Sequence, residues 1–257
     1  MQWTARKRFS SGFHFDVNYT WSKSIDMAST REKDGRVAEQ IVNSWSPGQM
    51  RAVSDYDTTH IVSAFWVAEV PFGRGKRFGS GMGKALDALV GGWQISGVFR
   101  ETSGLPATTD NGGFWPTGWN VEGYASQLGP VHAATTKNVA SVGGGSGPNI
   151  FPDPTAALAQ FANTLPGESG RRNPIRGDGF FGIDLGLGKR FIMPWKDSHS
   201  IQFRAEAFNV SNTAKFDPNN VTVANVSLTL GSPSTWGNYA ETLTKPRVLQ
   251  FSLRYEF

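Results

Sequence analysis

Polar and apolar residues alternate strictly along several stretches of the chain. Phe13, Phe15, Val17, Tyr19 and Trp21 fill the odd positions from 13 to 21, and the even positions from 14 to 22 are all polar. A β-strand turns successive side chains to opposite faces, so this run predicts a strand with one greasy face and one wet face. The last residues repeat the pattern: Leu249, Phe251, Leu253, Tyr255 and Phe257 alternate with Gln250, Ser252, Arg254 and Glu256. Phe181, Ile183, Leu185 and Leu187 interleave with Gly182, Asp184, Gly186 and Gly188. Ile201, Phe203, Ala205 and Ala207 interleave with Gln202, Arg204 and Glu206, and the parity slips at Phe208, where a bulge is expected. Weaker patterns predict strands near 60–72 and 93–104, and residues 1–8 read as the end of another, which makes about seven.

The wet faces narrow the choice of architecture. His14, Asp16, Asp184, Arg204 and Glu206 are costly inside the core of a small sandwich. A soluble antiparallel sheet with one face in water obeys the same alternation, so the pattern alone does not require a membrane. The connections do discriminate. They run roughly 9–12, 25–59, 73–92, 110–178, 194–200 and 217–246, shorter and longer in turn. Transmembrane barrels have short periplasmic turns and long extracellular loops, whereas a sandwich has no reason to sort its loops this way. With the short turns in the periplasm, strands 13–24, 93–104 and 201–213 run outward, and 60–72, 180–193 and 247–257 run inward. Trp21 then marks the outer interface, and Phe9, Phe72, Trp93, Trp195 and Phe257 mark the inner one.

Composition agrees. The chain has 257 residues, nine Trp and 30 Gly, and the aromatic share of 12% suits strands and turns rather than helices. No window approaches the ~18 apolar residues of a membrane-spanning helix. The net charge of +4 is too mild to argue for nucleic acid, and with no Cys there is neither a disulfide nor a thiolate site. No signal peptide precedes Arg6-Lys7-Arg8, so the expectation is that an outer-membrane protein with this start lacks its true beginning.

Catalytic signatures are missing. There is no Gly-x-Ser-x-Gly elbow, and Gly73-Arg74-Gly75-Lys76-Arg77-Phe78-Gly79 is one residue too long for a dinucleotide fingerprint. It leads into a weak Ala/Leu segment. The four His, at 14, 60, 132 and 199, have no metal-binding spacing. Asp55 and Asp57 flank Tyr56 at a loop base, where they read as solvated carboxylates in preference to a cation site. No enzyme, cofactor or metal is expected. The long loop 110–178 predicts one short helix near Pro154–Ala162. Trp115, Trp119 and Tyr124 in that loop either contact a ligand or pack the loop onto itself, and the sequence leaves both open.

Several blocks resemble one family. Tyr19-Thr20-Trp21-Ser22-Lys23-Ser24-Ile25-Asp26 is similar to a block in the barrels of Oar-like TonB-dependent receptors, proteins that often carry an N-terminal carboxypeptidase-regulatory-like domain. So are Val70-Pro71-Phe72-Gly73-Arg74-Gly75-Lys76-Arg77-Phe78-Gly79, Gly91-Gly92-Trp93-Gln94-Ile95-Ser96-Gly97 and Ser103-Gly104-Leu105-Pro106. Arg172-Asn173-Pro174-Ile175-Arg176-Gly177, Phe203–Val210 and Pro246–Phe251 follow in the family's order. The resemblance implies a plugged barrel of 22 strands, of which residues 1–257 form the C-terminal part, with the plug and N-terminal strands absent.

The expected fold is therefore all-β: an antiparallel transmembrane β-barrel segment, a partial barrel with long extracellular loops, in the cell outer membrane. Asp16, Asn18, Asp184, Arg204, Glu206, Gln250 and Arg254 are expected to face the lumen, and Phe15, Val17, Tyr19, Phe203, Phe251 and Leu253 the lipid. Leu249, Phe251, Leu253, Tyr255 and Phe257 form an expected assembly signal, since the barrel-assembly machinery reads a terminal strand of this form. The other implied partners are outer-membrane lipid, the remainder of the barrel and plug, and an energy-coupling inner-membrane complex, with no nucleic acid. The rival reading is a secreted soluble all-β binding or adhesion module.

Overall fold

Seven long strands form one antiparallel sheet in strict sequence order. In the computed structural model, which describes residues 1–29, 41–114, 122–196, 198–216 and 228–257, they are β1 (Gln2–Ser10), β2 (Phe13–Trp21), β3 (His60–Glu69), β4 (Trp93–Thr102), β5 (Phe181–Ile192), β6 (Ser200–Phe208) and β7 (Val248–Glu256). Each expected strand is present. The sheet does not close on itself, so β1 and β7 lie at its two edges.

Register keeps the two faces apart across the sheet. Phe15 stands opposite Trp66 and Val17 opposite Ala64, while Asp16 stands opposite Phe65 and Asn18 opposite Ser63. Across β6 and β7, Phe203 meets Leu253, Ala205 meets Phe251, and Glu206 meets Gln250. A slip of one residue would exchange the faces of a strand, and the ladders from β2 to β7 show none. The expected bulge at Phe208 is therefore corrected: Phe208 pairs with Val248 in regular register. Phe208 is an apolar residue on the polar face, opposite Val248, and the strand ends after it, where Asn209 adopts a left-handed conformation (φ 49°). The ladder irregularity lies in β1, between Lys7 and Ser10.

Among the described residues, no second sheet covers the apolar face. Phe251 and Leu253 leave 68% and 72% of their surface exposed, so the two-layer core of a sandwich is absent. On that face the Trp66 indole packs against Gly97, its cross-strand partner, and a Cβ at Gly97 would overlap the ring.

The buried hydrophobic core sits elsewhere, in the long connections. Ile150, Phe151, Phe161 and Ile175 from the β4–β5 connection pack with Phe216, Leu228, Trp236 and Tyr239 from the β6–β7 connection. Phe151 and Trp236 stack with centroids 4.6 Å apart. Short hairpins tie this cap together, such as 110–114 with 122–124 and 136–140 with 146–149. The expected helix is a single turn, α2 (Pro154–Leu158), begun by Asp153, whose carboxylate accepts from the Ala156 amide at 2.9 Å. The opposite end of the sheet carries the shorter connections: a two-residue turn at Ser11-Gly12, residues 193–199, and residues 70–92. The last of these includes α1 (Lys84–Val90).

Candidate functional site

Two surfaces qualify, the polar face of the sheet and the cap above it. Asp16, Asn18, Asp184, Arg204, Glu206, Gln250 and Arg254 all lie on the polar face. Many of its charges are already matched. Arg6 on β1 pairs with Asp16 directly across the ladder, and Asn18 donates to the same carboxylate at 2.6 Å. Arg204 bridges Glu206 at 2.9 Å, and Arg190 reaches Glu256 at 3.4 Å. Alternation of side chains with matched charges gives a wall that water or a polar ligand can wet. A cavity of about 640 Å³ on this face is lined by Gln94, Ser96, Arg190, Gln202 and Arg204 near the short-connection end.

Two arginines that sequence reasoning saw only as part of a family-like block join the cap to the β2–β3 connection. Arg172 is buried, pairs with Asp26, lies 3.5 Å from Asp55 and donates to the Met50 carbonyl at 3.1 Å. Asn173 donates to the Val53 carbonyl at 2.7 Å and to Asp55 at 2.6 Å. Arg176 bridges Asp57 at 2.6 Å and donates to the Gly104 carbonyl at 2.7 Å. The β2–β3 and β4–β5 connections are thereby clasped together. Four-residue spacing of the arginines, set against carboxylates at 26, 55 and 57, was the available signal.

These contacts correct the expectation for Asp55 and Asp57. Both carboxylates answer the clasp, and Asp57 is almost wholly buried. Burial pushes the Asp57 carboxyl up, but the Ser24 amide and the Arg176 guanidinium outweigh that and hold it below the ordinary value. Asp26 is lowered likewise: burial opposes ionisation, and hydrogen bonds from Ser54, Arg172 and Ser29 prevail. Among the described residues, no three His, Asp or Glu side chains gather as a metal ion would need.

Of the loop aromatics, Tyr124 is half-buried on the 122–124 strand, its carbonyl accepting from Asn111 at 3.2 Å. Trp115 and Trp119 lie outside the described residues. Leu249, Phe251, Leu253 and Tyr255 share the exposed apolar face of the edge strand β7, and Phe257 follows at the short-connection end. Phe9, Phe72 and Trp195 are exposed at that same end, and Trp21 is exposed at the other.

One residue was missed. Lys189 continues the apolar positions of β5, opposite Trp93 and Phe203. Its ammonium lies over the Phe191 ring at 4.9 Å and donates to the Ala88 carbonyl of α1 at 2.7 Å. A basic residue where Leu187 predicts another apolar one was the signal.

The family described as an outer membrane beta barrel domain matches residues 1–250 of the chain. No curated protein and no solved structure matches it.

Proposed function

Because the chain belongs to the outer membrane beta barrel domain family and resides in the outer membrane, we propose that it forms part of the wall of a TonB-dependent receptor. The observation that supports this reading most is the pairing of one two-faced sheet with a packed cap at one end only. A receptor needs a polar wall around its passage and a shaped outer surface where substrate is first met. In this reading the apolar face meets lipid, the polar face lines the lumen, and the cap of the long connections faces outward. The role is passive and non-catalytic. Substrate binds the cap and a plug, and energy from an inner-membrane complex releases it inward.

The free edges define the remaining partner. β1 and β7 are the first and last of seven antiparallel strands and therefore run in the same direction. Closure with antiparallel neighbours alone takes an odd number of further strands, which yields the even count of bacterial barrels. The free edge and apolar face of β7 are also what assembly machinery would engage by strand addition.

Reading the genomic DNA upstream of Met1 tests the proposal. In-frame strands, a plug and an energy-coupling box are expected. A signal peptide immediately upstream would replace the receptor with a secreted module.

A further inference from the structure

Helix α1 exposes its apolar side. Leu86, Leu89 and Val90 stand at i, i+3 and i+4, on one face of the helix. Leu86 is 52% exposed and Leu89 67%, and the helix buries no residue of its own. In water such a face gains nothing.

The end of the helix is equally unusual. The last carbonyls of a helix have no partner within it, and in water they need none. Here they are taken one after another. The Gly91 amide donates to Asp87 at 2.8 Å, Lys189 Nζ to Ala88 at 2.7 Å and Trp93 Nε1 to Leu89 at 2.9 Å. Lys189 and Trp93 both belong to the apolar face of the sheet, so α1 is fastened to that side. A cation at a helix C-terminus also meets the negative end of the helix dipole. Satisfying the Ala88 and Leu89 carbonyls from the sheet suits a hydrocarbon surrounding, where no water can do so.

The preceding turn is held against the helix and brings positive charge. Asp87 Oδ1 accepts from the Arg74 amide at 2.7 Å, and Gly91 passes so close to Asp87 that a Cβ there would overlap its carboxylate. Arg74, Arg77 and Lys84 are exposed, and among the described residues none is bridged to a carboxylate. Phe72 and Phe78 lie exposed beside them, their ring centroids 5.3 Å apart.

We propose that α1 and its turn are an interfacial anchor that docks on anionic phospholipid of the periplasmic leaflet. Leu86, Leu89 and Val90 enter the acyl chains, in continuity with the apolar face of the sheet. Arg74, Arg77 and Lys84 meet headgroup phosphates, and Lys189 with Trp93 fixes the depth of the helix. Apolar burial and attraction to anionic lipid strengthen such binding together. The proposal rests on the orientation in which the shorter connections face the periplasm.

The chain has no Cys, so single spin labels can be placed cleanly. The full chain is reconstituted in nanodiscs of phosphatidylcholine with or without phosphatidylglycerol. Labels at Leu89→Cys, Leu86→Cys, Phe251→Cys and Leu128→Cys are then compared for collision with oxygen and with a water-soluble nickel chelate. The Leu89 and Leu86 labels are expected to resemble Phe251 in favouring oxygen, and to shift toward the chelate without phosphatidylglycerol or in R74Q/R77Q/K84Q. If they match the exposed cap position Leu128 while Phe251 favours oxygen, the anchor is wrong and the barrel wall stands. Should Phe251 also favour the chelate, both readings fall. Immersion that ignores both lipid charge and the triple variant would overturn the phosphate contact.

Discussion

Phe251 on β7 leaves 68% of its surface exposed, whereas Trp236 in the cap leaves none. Both are large aromatic residues in one chain, yet they are stabilised by different surroundings. The cap gathers Phe151, Phe161, Ile150 and Trp236 into a core of its own, as a water-soluble domain does. The sheet has no such core, and its apolar face gains only when a bilayer covers it. The difference teaches where burial is to be counted: inside the protein for the cap, and against lipid for the wall.

The largest expected effect comes from breaking the cap. Trp236→Ala removes the ring stacked on Phe151 and should cost about 3–5 kcal/mol of cap stability. Hydrogen exchange should then rise at Ile150 and Phe151, with no change in β2 or β6. Arg172→Ala should follow at about 3 kcal/mol, because it removes the buried guanidinium that pairs with Asp26 and neighbours Asp55. Limited proteolysis between residues 103 and 180 reads that loss. On the wall, Phe251→Arg should cost about 2 kcal/mol in reversible folding from lipid vesicles, approaching about 4 only at the bilayer midplane. Gln250→Arg should cost far less. Similar costs at the two positions would erase the distinction between the faces.

The smallest effect is a pH dependence confined to the cap. The folded-state pKa values of Asp26 and Asp57 lie below the ordinary aspartate value. Their contribution is therefore fully present above about pH 4 and is lost as pH falls through the lowered folded values. Exchange of the Ser24 amide, which Asp57 accepts, should stay slow from pH 7 to 4 and quicken only below that window. A D57N variant should lose most of this dependence.

The wall was legible in the sequence because its information is local. Residues two apart share a face, so Phe13 through Trp21 announce the strand without knowledge of any partner. The faces of the strands followed in the same way, but the bulge expected at Phe208 is not there. The cap was not legible, for the opposite reason. Phe151 and Trp236 meet across 85 positions of irregular chain, and no period marks either residue. Arg172 and Asp26 are further apart still, and nothing near either names the other. Lys189 lay between these cases. Its break in the alternation was visible, but the helix carbonyl that accepts from it was not.

The central claim is that adjacent residues of one strand meet different solvents. Single cysteines at Gln250 and Phe251, with the full chain in lipid vesicles, test it most directly through labelling by a charged, water-soluble maleimide. The account predicts rapid labelling of Q250C and protection of F251C, with the same contrast at R204C and F203C on β6. Equal labelling within each pair would contradict it.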